Sequence, residues 1–297
     1  MGVKPLFYNI AMQKHFLIQC IKGFVFILLM AAPFFVSAQS TANKNETLLA
    51  QADTLLGRQD YAGALVLYDK IIEKTKFVSD EDYLVLYKRA FCYYGLGKFE
   101  NALKDVNHYV QKVLNEQAKL LRAYINQELG NHEAQLADLN EFIAASPGNP
   151  DLLRWRASVF MESERYAEAQ KDIRRLLAYQ PSPDLKAYLG LAYYYQNNQD
   201  SALIIFDEVI AANPDYLQTY LYAASLALEE EAYDLALQYC KGGLKVDGSD
   251  LTLLFYKGIA LVEIENTDEG CRCLKKAFAG GMDDAADYLK SYCYGVE

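Results

Sequence analysis

Hydrophobic positions along this chain recur with the 3.6-residue period of helices, in paired blocks separated by short polar turns. A small residue returns at one place in the pattern, at Ala52, Ala90, Ala123, Ala157, Gly190, Ala224 and Gly258. The spacing is nearly constant, apart from a longer first interval between Ala52 and Ala90. A second small position follows twelve residues after each, at Ala64, Ala102, Ala169, Ala202, Ala236 and Gly270, with Gln135 as the departure. Two antiparallel helices approach closely only where side chains are tiny, so the doubled small slot predicts helical hairpins repeated about every 34 residues. Pro147, Pro181 and Pro214 close three repeats and Gly248 takes that place in the next, where no helix hydrogen bond is lost. Turn-forming stretches, Gly95-Leu96-Gly97-Lys98 and Gln196-Asn197-Asn198-Gln199, separate paired helices. The pattern predicts an all-α chain.

The residues of the fifth repeat resemble a tetratricopeptide repeat: Leu189-Gly190 and Tyr193, then Ala202, Phe206 and Pro214. The fourth repeat offers Ala157, Phe160, Ala169, Ile173 and Pro181 in the same places, while Asn126 and Ala227 depart from the aromatic slot of the third and sixth. The resemblance covers residues 47–282 and implies a right-handed superhelical solenoid of about seven repeats. That family is a scaffold with many roles, so the fold alone does not assign a function. Residues 283–297 do not begin another full repeat. Ala286, Leu289 and Cys293 fall on one helical face there, which predicts a capping helix over the last exposed hydrophobic edge. The ending, with Cys271, Leu274-Lys275-Lys276-Ala277, Gly280-Gly281 and Tyr292-Cys293, is similar to the termini of exported bacterial tetratricopeptide proteins.

Residues 1–38 read differently. Lys4, Lys14 and Lys22 precede an apolar run from Gly23 to Val36, and Ser37-Ala38 supplies small residues for cleavage. This is the layout of a signal peptide, with 39–46 as a short linker, and it predicts a periplasmic or secreted protein. The apolar run is too short to span a bilayer comfortably, so no integral span is expected after cleavage. Both Met1 and Met12 fit as the start. Leu17-Ile18-Gln19-Cys20 lacks the small residue of a lipobox and lies before the apolar core, which disfavours a lipid anchor.

The charge balance excludes one large class. Acidic residues number 39 against 29 basic, a formal net charge of −10. Losing residues 1–38 removes three lysines and no acid, giving −13. A nucleic-acid or anionic-membrane partner would demand the opposite balance. The motifs of serine hydrolases, zinc proteases and phosphate loops are absent, and Gly95-Leu96-Gly97-Lys98 is a turn rather than a phosphate cradle. Only His108 and His132 follow the signal segment, and Cys271 and Cys273, two apart on a helix, point apart. No catalytic, cofactor or metal residues are expected, and the chain is not expected to be an enzyme.

Binding remains. The resemblance places the first helix of each repeat on a concave groove, which would receive Tyr87, Phe91, Tyr94, Tyr124, Arg154, Leu191, Tyr194, Tyr195 and Phe255. Tyrosine gives contact area at low entropy cost and still hydrogen-bonds, which suits recognition. The Lys and Asn clamp of chaperone-tail adaptors is missing: Leu49 and Asp53, Tyr87 and Phe91, Leu120 and Tyr124 stand in those places. The expected function is a non-enzymatic scaffold of the bacterial cell envelope that holds a peptide or helix of another envelope protein. The alternative is a glycan-binding module that stacks tyrosines on sugar rings.

Five cysteines follow the signal segment, an odd number that leaves at least one thiol unpaired outside the cytoplasm. With a helix ending near Phe278 and a cap helix starting near Asp283, Cys271 and Cys293 differ by about 4–5 Å along antiparallel axes, against about 7–8 Å for Cys273. A Cys271–Cys293 disulfide is therefore expected, with three reduced, packed cysteines as the alternative.

Overall fold

The computed structural model describes residues 42–294, so the expected signal segment lies outside the described residues. The chain divides into two compact units between Pro147 and Gly148. The N-terminal unit contains α1 (Ala42–Gly57), α2 (Tyr61–Ile72), α3 (Asp80–Gly95), α4 (Phe99–Val110), α5 (Glu116–Glu128) and α6 (His132–Ala145). The C-terminal unit contains α7 (Pro150–Glu162), α8 (Tyr166–Tyr179), α9 (Pro183–Tyr194), α10 (Gln199–Ala212), α11 (Leu217–Glu229), α12 (Tyr233–Val246), α13 (Leu251–Glu263), α14 (Thr267–Ala279) and α15 (Ala285–Tyr288). Every regular element among the described residues is helical. The first helix begins at Ala42, inside the stretch expected to be linker.

Within each unit every helix packs on its successor, and the small positions lie at those contacts. Ala52, Ala64, Ala90, Ala102, Ala123, Ala169, Ala202, Ala224 and Ala236 are fully buried. At Gly190 a Cβ would stand 2.5 Å from the Phe206 ring, so glycine is what lets α9 and α10 close. Gln135 occupies the one exceptional slot and is fully buried, its amide donating to Gln127 Oε1 at 3.3 Å. Asn126 is also buried and accepts a hydrogen bond from the Asn131 side-chain amide at 3.3 Å, so the hairpin survives without an aromatic there.

Each hairpin turns through one residue in the left-handed region. Those residues are Gln59, Gly97, Gly130, Glu164, Asn197, Glu231 and Glu265, at φ between 55° and 69°. They keep the period of the small slots, because the residue after a helix must reverse the chain for the next helix to fold back. Glutamate carries a Cβ penalty in that region, which glycine escapes at some cost in unfolded-chain entropy. Glu231→Gly is expected to raise stability by about 0.5–1 kcal/mol, measured by urea unfolding. A fall in stability would show that the Glu231 side chain contributes something the backbone does not reveal.

A buried ionic pairing joins the two helices of three successive repeats. Arg89 Nε and Nη2 donate to Asp105 at 2.6 and 2.8 Å, and Arg122 does the same to Asp138 at 2.9 and 2.6 Å. In the C-terminal unit Arg156 donates to Asp172 at 2.7 and 2.8 Å. Each pair is 16 residues apart. In the next two repeats Leu189 with Ile205 and Ala223 with Tyr239 stand in place of the pair, and the latter two belong to the apolar core cluster.

The C-terminal end corrects the expected capping helix. α15 is a single turn, Ala285–Tyr288, and the chain continues in a π-turn, Leu289–Cys293, closed by Tyr294 N donating to Leu289 O at 3.0 Å. Ala285 and Leu289 are buried, whereas Ala286 is exposed. A helix that starts two residues later than Asp283 has another phase, and the wide π-turn carries Cys293 to the inner side. Cys271 and Cys293 come together with Cα atoms 5.6 Å apart and sulfurs within bonding distance. Cys92, Cys240 and Cys273 are buried thiols.

Candidate partner-binding surface

The residues expected in a groove divide into buried and accessible sets. Tyr87, Leu191 and Phe255 are 5%, 6% and 4% exposed and belong to the core, not to a surface. Tyr87 stacks on Tyr109 of α4 with ring centres 5.4 Å apart, and burial pushes its phenol up to about 12. Phe255 is covered by the edge of Tyr288 at 5.6 Å, so the terminal segment occupies the face that sequence reasoning gave to a partner. The helix pitch alone cannot distinguish a first-helix residue facing solvent from one covered by a later element.

The N-terminal unit keeps Phe91, Tyr94 and Tyr124 half-buried. Phe91 lies 6.5 Å from Tyr61 and Tyr94 lies 5.7 Å from Phe99, ring centre to ring centre. Burial, with Glu128 and Tyr124 nearby, pushes the Tyr94 phenol upward.

The C-terminal unit carries the richer face. Tyr195 stacks on Tyr166 and tilts against Tyr194, both at 5.1 Å between centres. Tyr188, 39% exposed, sits in the field of Asp184, Glu162 and Arg154, and burial is the main cause of its raised phenol. Burial also raises Tyr222, next to Tyr188 and Tyr195. Tyr216 donates its hydroxyl to the Asp184 carboxylate. Tyr188, Tyr216, Tyr222 and Asp184 were missed in the sequence. The available signal was that Trp155, Tyr188 and Tyr222 occupy one and the same position in three successive repeats, with Arg154 next to the first of them.

Arg154 is distinctive among the cations of α7, α9, α11 and α13. Arg156 pairs with Asp172 at 2.7 Å, Lys186 with Glu208 at 2.8 Å and Lys257 with Glu269 at 2.7 Å. Arg154 has no carboxylate partner among the described residues. An arginine beside exposed tyrosine, held on packed helices, can take a carboxylate while the rings supply apolar contact. Among the described residues no three His, Cys, Asp or Glu side chains converge as metal ligands, and no helix is long and apolar enough to cross a membrane.

The tetratricopeptide repeat family model matches residues 156–216 and 189–250, within this aromatic region. Among solved structures, the chain is similar to the C-terminal part of a tetratricopeptide repeat protein from Cytophaga hutchinsonii, with 22% identity and a TM-score of 0.59 over 81% of this chain and 99% of that one. A tetratricopeptide repeat protein from Parabacteroides merdae gives 19% identity and a TM-score of 0.54 over 84% and 98% of the two chains. At this identity the likeness concerns the fold. Among curated proteins, the DnaJ protein P58IPK homolog A of Oryza sativa subsp. japonica is 25% identical over 190 residues, 59% of this chain. The aligned part spans only 40% of that relative's length. The helical hairpins and their period make this chain an all-α repeat solenoid, and the family model matches residues 156–250 of it. Such a fold suggests a scaffold for protein–protein interaction.

Proposed function

We propose that the chain is a non-enzymatic scaffold of the bacterial envelope that binds a segment of another envelope protein on the tyrosine-lined face of its C-terminal unit. The observation that carries this reading is Arg154, a cation without a carboxylate partner beside exposed Tyr188 in a chain of net charge −10. The other cations on the same set of helices already hold carboxylates within the molecule. A partner segment would place apolar side chains on Tyr188, Tyr194 and Tyr195 and a carboxylate on Arg154.

Export through the N-terminal segment belongs to the same proposal, and so does a Cys271–Cys293 disulfide formed after export. The positive, apolar and small-residue layout of residues 1–38 supports the first, and the 5.6 Å approach of the two Cα atoms supports the second. N-terminal sequencing of the exported protein is expected to begin at Gln39, and a mature chain that retains residues 1–38 would overturn the export reading.

The binding test is a pull-down from envelope extract with the wild type and a Tyr188→Ala/Tyr194→Ala variant. Both side chains are partly exposed, so the variant is expected to melt as the wild type does. Recovery of the partner is expected to fall by about tenfold or more, as it does when anchoring aromatics are truncated. Undiminished recovery would remove the binding assignment from this face. Saturable binding to a glycan array that the same variant abolishes would favour the sugar-stacking reading instead.

A further inference from the structure

The first repeat interval, from Ala52 to Ala90, is longer than the others, and the extra residues lie in the connection 73–79 between α2 and α3. Phe77 of that connection, with Ile72 of α2, Leu86 and Arg89 of α3 and residues of and just after α4, walls an open cleft of about 530 Å³. The volume is that of a small-molecule site. One side of it is apolar, formed by Ile72, Phe77 and Leu86. Phe77 is held in place by its neighbours: its ring centre lies 5.2 Å from Tyr83 and 6.0 Å from His108, and its carbonyl accepts the Tyr83 hydroxyl at 3.4 Å.

The other side is charged and carries an unpaired cation among the described residues. Asp105 is the lining carboxylate, and Arg89 holds both of its oxygens, at 2.6 and 2.8 Å. Its negative charge is thereby neutralised within the floor. Lys104 and His108 stand one helical turn apart on α4, both exposed, and Lys104 has no carboxylate partner among the described residues. Arg89 is shared between Asp105 and Asp69, so Lys104 is the lining cation that no carboxylate holds among the described residues.

We infer that this cleft binds a small organic oxyanion, a carboxylate or phosphate carried on a flat apolar body. The body would lie against Phe77, Ile72 and Leu86, and the anionic head would reach Lys104 and His108. Apolar walls with a few convergent polar groups are the composition of ligand sites, and a charge-assisted hydrogen bond to the head would fix its orientation. The site is independent of the tyrosine face of the C-terminal unit, since none of its residues comes from that unit.

The chain offers a clean probe. Beyond residue 38 its only histidines are His108 and His132, so imidazole NMR signals of the exported protein report the cleft and carry an internal control. Benzoate, phenyl phosphate and the neutral isostere benzamide are titrated separately at constant ionic strength. Benzoate or phenyl phosphate is expected to shift His108 saturably and leave His132 in place, with affinity about tenfold above that of benzamide. The tighter of the two anions identifies the head group. Lys104→Gln is expected to weaken the anions about tenfold and leave benzamide unchanged, while Phe77→Ala weakens all three. Lys104 is exposed, so its variant is expected to keep the wild-type melting temperature. The proposal is overturned if benzamide binds as tightly as the anions, if His108 and His132 shift together without saturation, or if Lys104→Gln leaves anion affinity unchanged.

Discussion

Asp172→Ala is expected to destabilise the C-terminal unit by about 3 kcal/mol, read as a lower urea midpoint at unchanged slope. The Asp172 side chain is 2% exposed and that of Arg156 only 16%, so removal of the carboxylate takes a bidentate counterion from a largely buried guanidinium. Breaking one partner of a buried pair costs several kcal/mol because the surviving charge has lost its solvation and its counterion together. The residual exposure of Arg156 keeps the expected figure at the low end of that range. Replacing the pair as a whole, Arg156→Met with Asp172→Leu, should restore most of the loss, as two later repeats already use apolar residues at these places. A cost below about 1 kcal/mol for Asp172→Ala, or no recovery in the double variant, would refute this reading.

The second large effect is expected at the terminus. In protein exported to an oxidising compartment, non-reducing peptide mapping should recover Cys293 joined to Cys271, and unfolding should release three thiols from the five cysteines beyond residue 38. In the folded state those three should resist alkylation at mild pH. Burial pushes the thiols of Cys92 and Cys240 each up to about 12, and it raises Cys273 as well. Cys271→Ser or Cys293→Ser should destabilise the last repeat by about 3 kcal/mol on the chain-entropy model for a sequence separation of 22 residues. A one-turn helix and a π-turn cannot hold themselves in water. The segment stays in place through Ala285 and Leu289 in the core, Tyr288 against Phe255, and Tyr292 donating to Glu263 at 2.6 Å. Hydrogen exchange should therefore accelerate over residues 285–294 in the serine variants and remain unchanged over residues 42–147. Recovery of Cys293 as a free thiol, or bridged mainly to Cys273, would dismiss the pairing.

Much of the architecture was legible before any coordinates. The small slots from Ala52 to Gly270 marked every helix pair, and the prolines marked the junctions, because helix pitch and close approach impose both on the local sequence. The Arg–Asp pairs, evenly spaced from one repeat to the next, were equally open to reading and went unread. The turns were half legible. Gly97 and Asn197 announce a left-handed position, whereas Glu164, Glu231 and Glu265 adopt it under the demand of the packed hairpin against their own preference.

The candidate surface was less legible, and the reason is geometric. Tyr87 and Tyr94 share one helix and one residue type, yet Tyr109 buries the first while the second stays partly open. Phe255 fits the expected groove by repeat position and is lost to it because Tyr288, a full repeat later in the chain, folds across it. The cap shows how little error such an inference tolerates: one residue of phase, about 100° around a helix, exchanges Ala286 for Ala285 at the buried edge. Sequence by itself determined the repeat, its period and the class of fold, since these follow from contacts between residues near one another along the chain. Tertiary structure alone decided which tyrosines face solvent, which cation lacks a carboxylate and where a longer connection opens a cleft. Each of those depends on a distant side chain whose direction is set only when the helices pack.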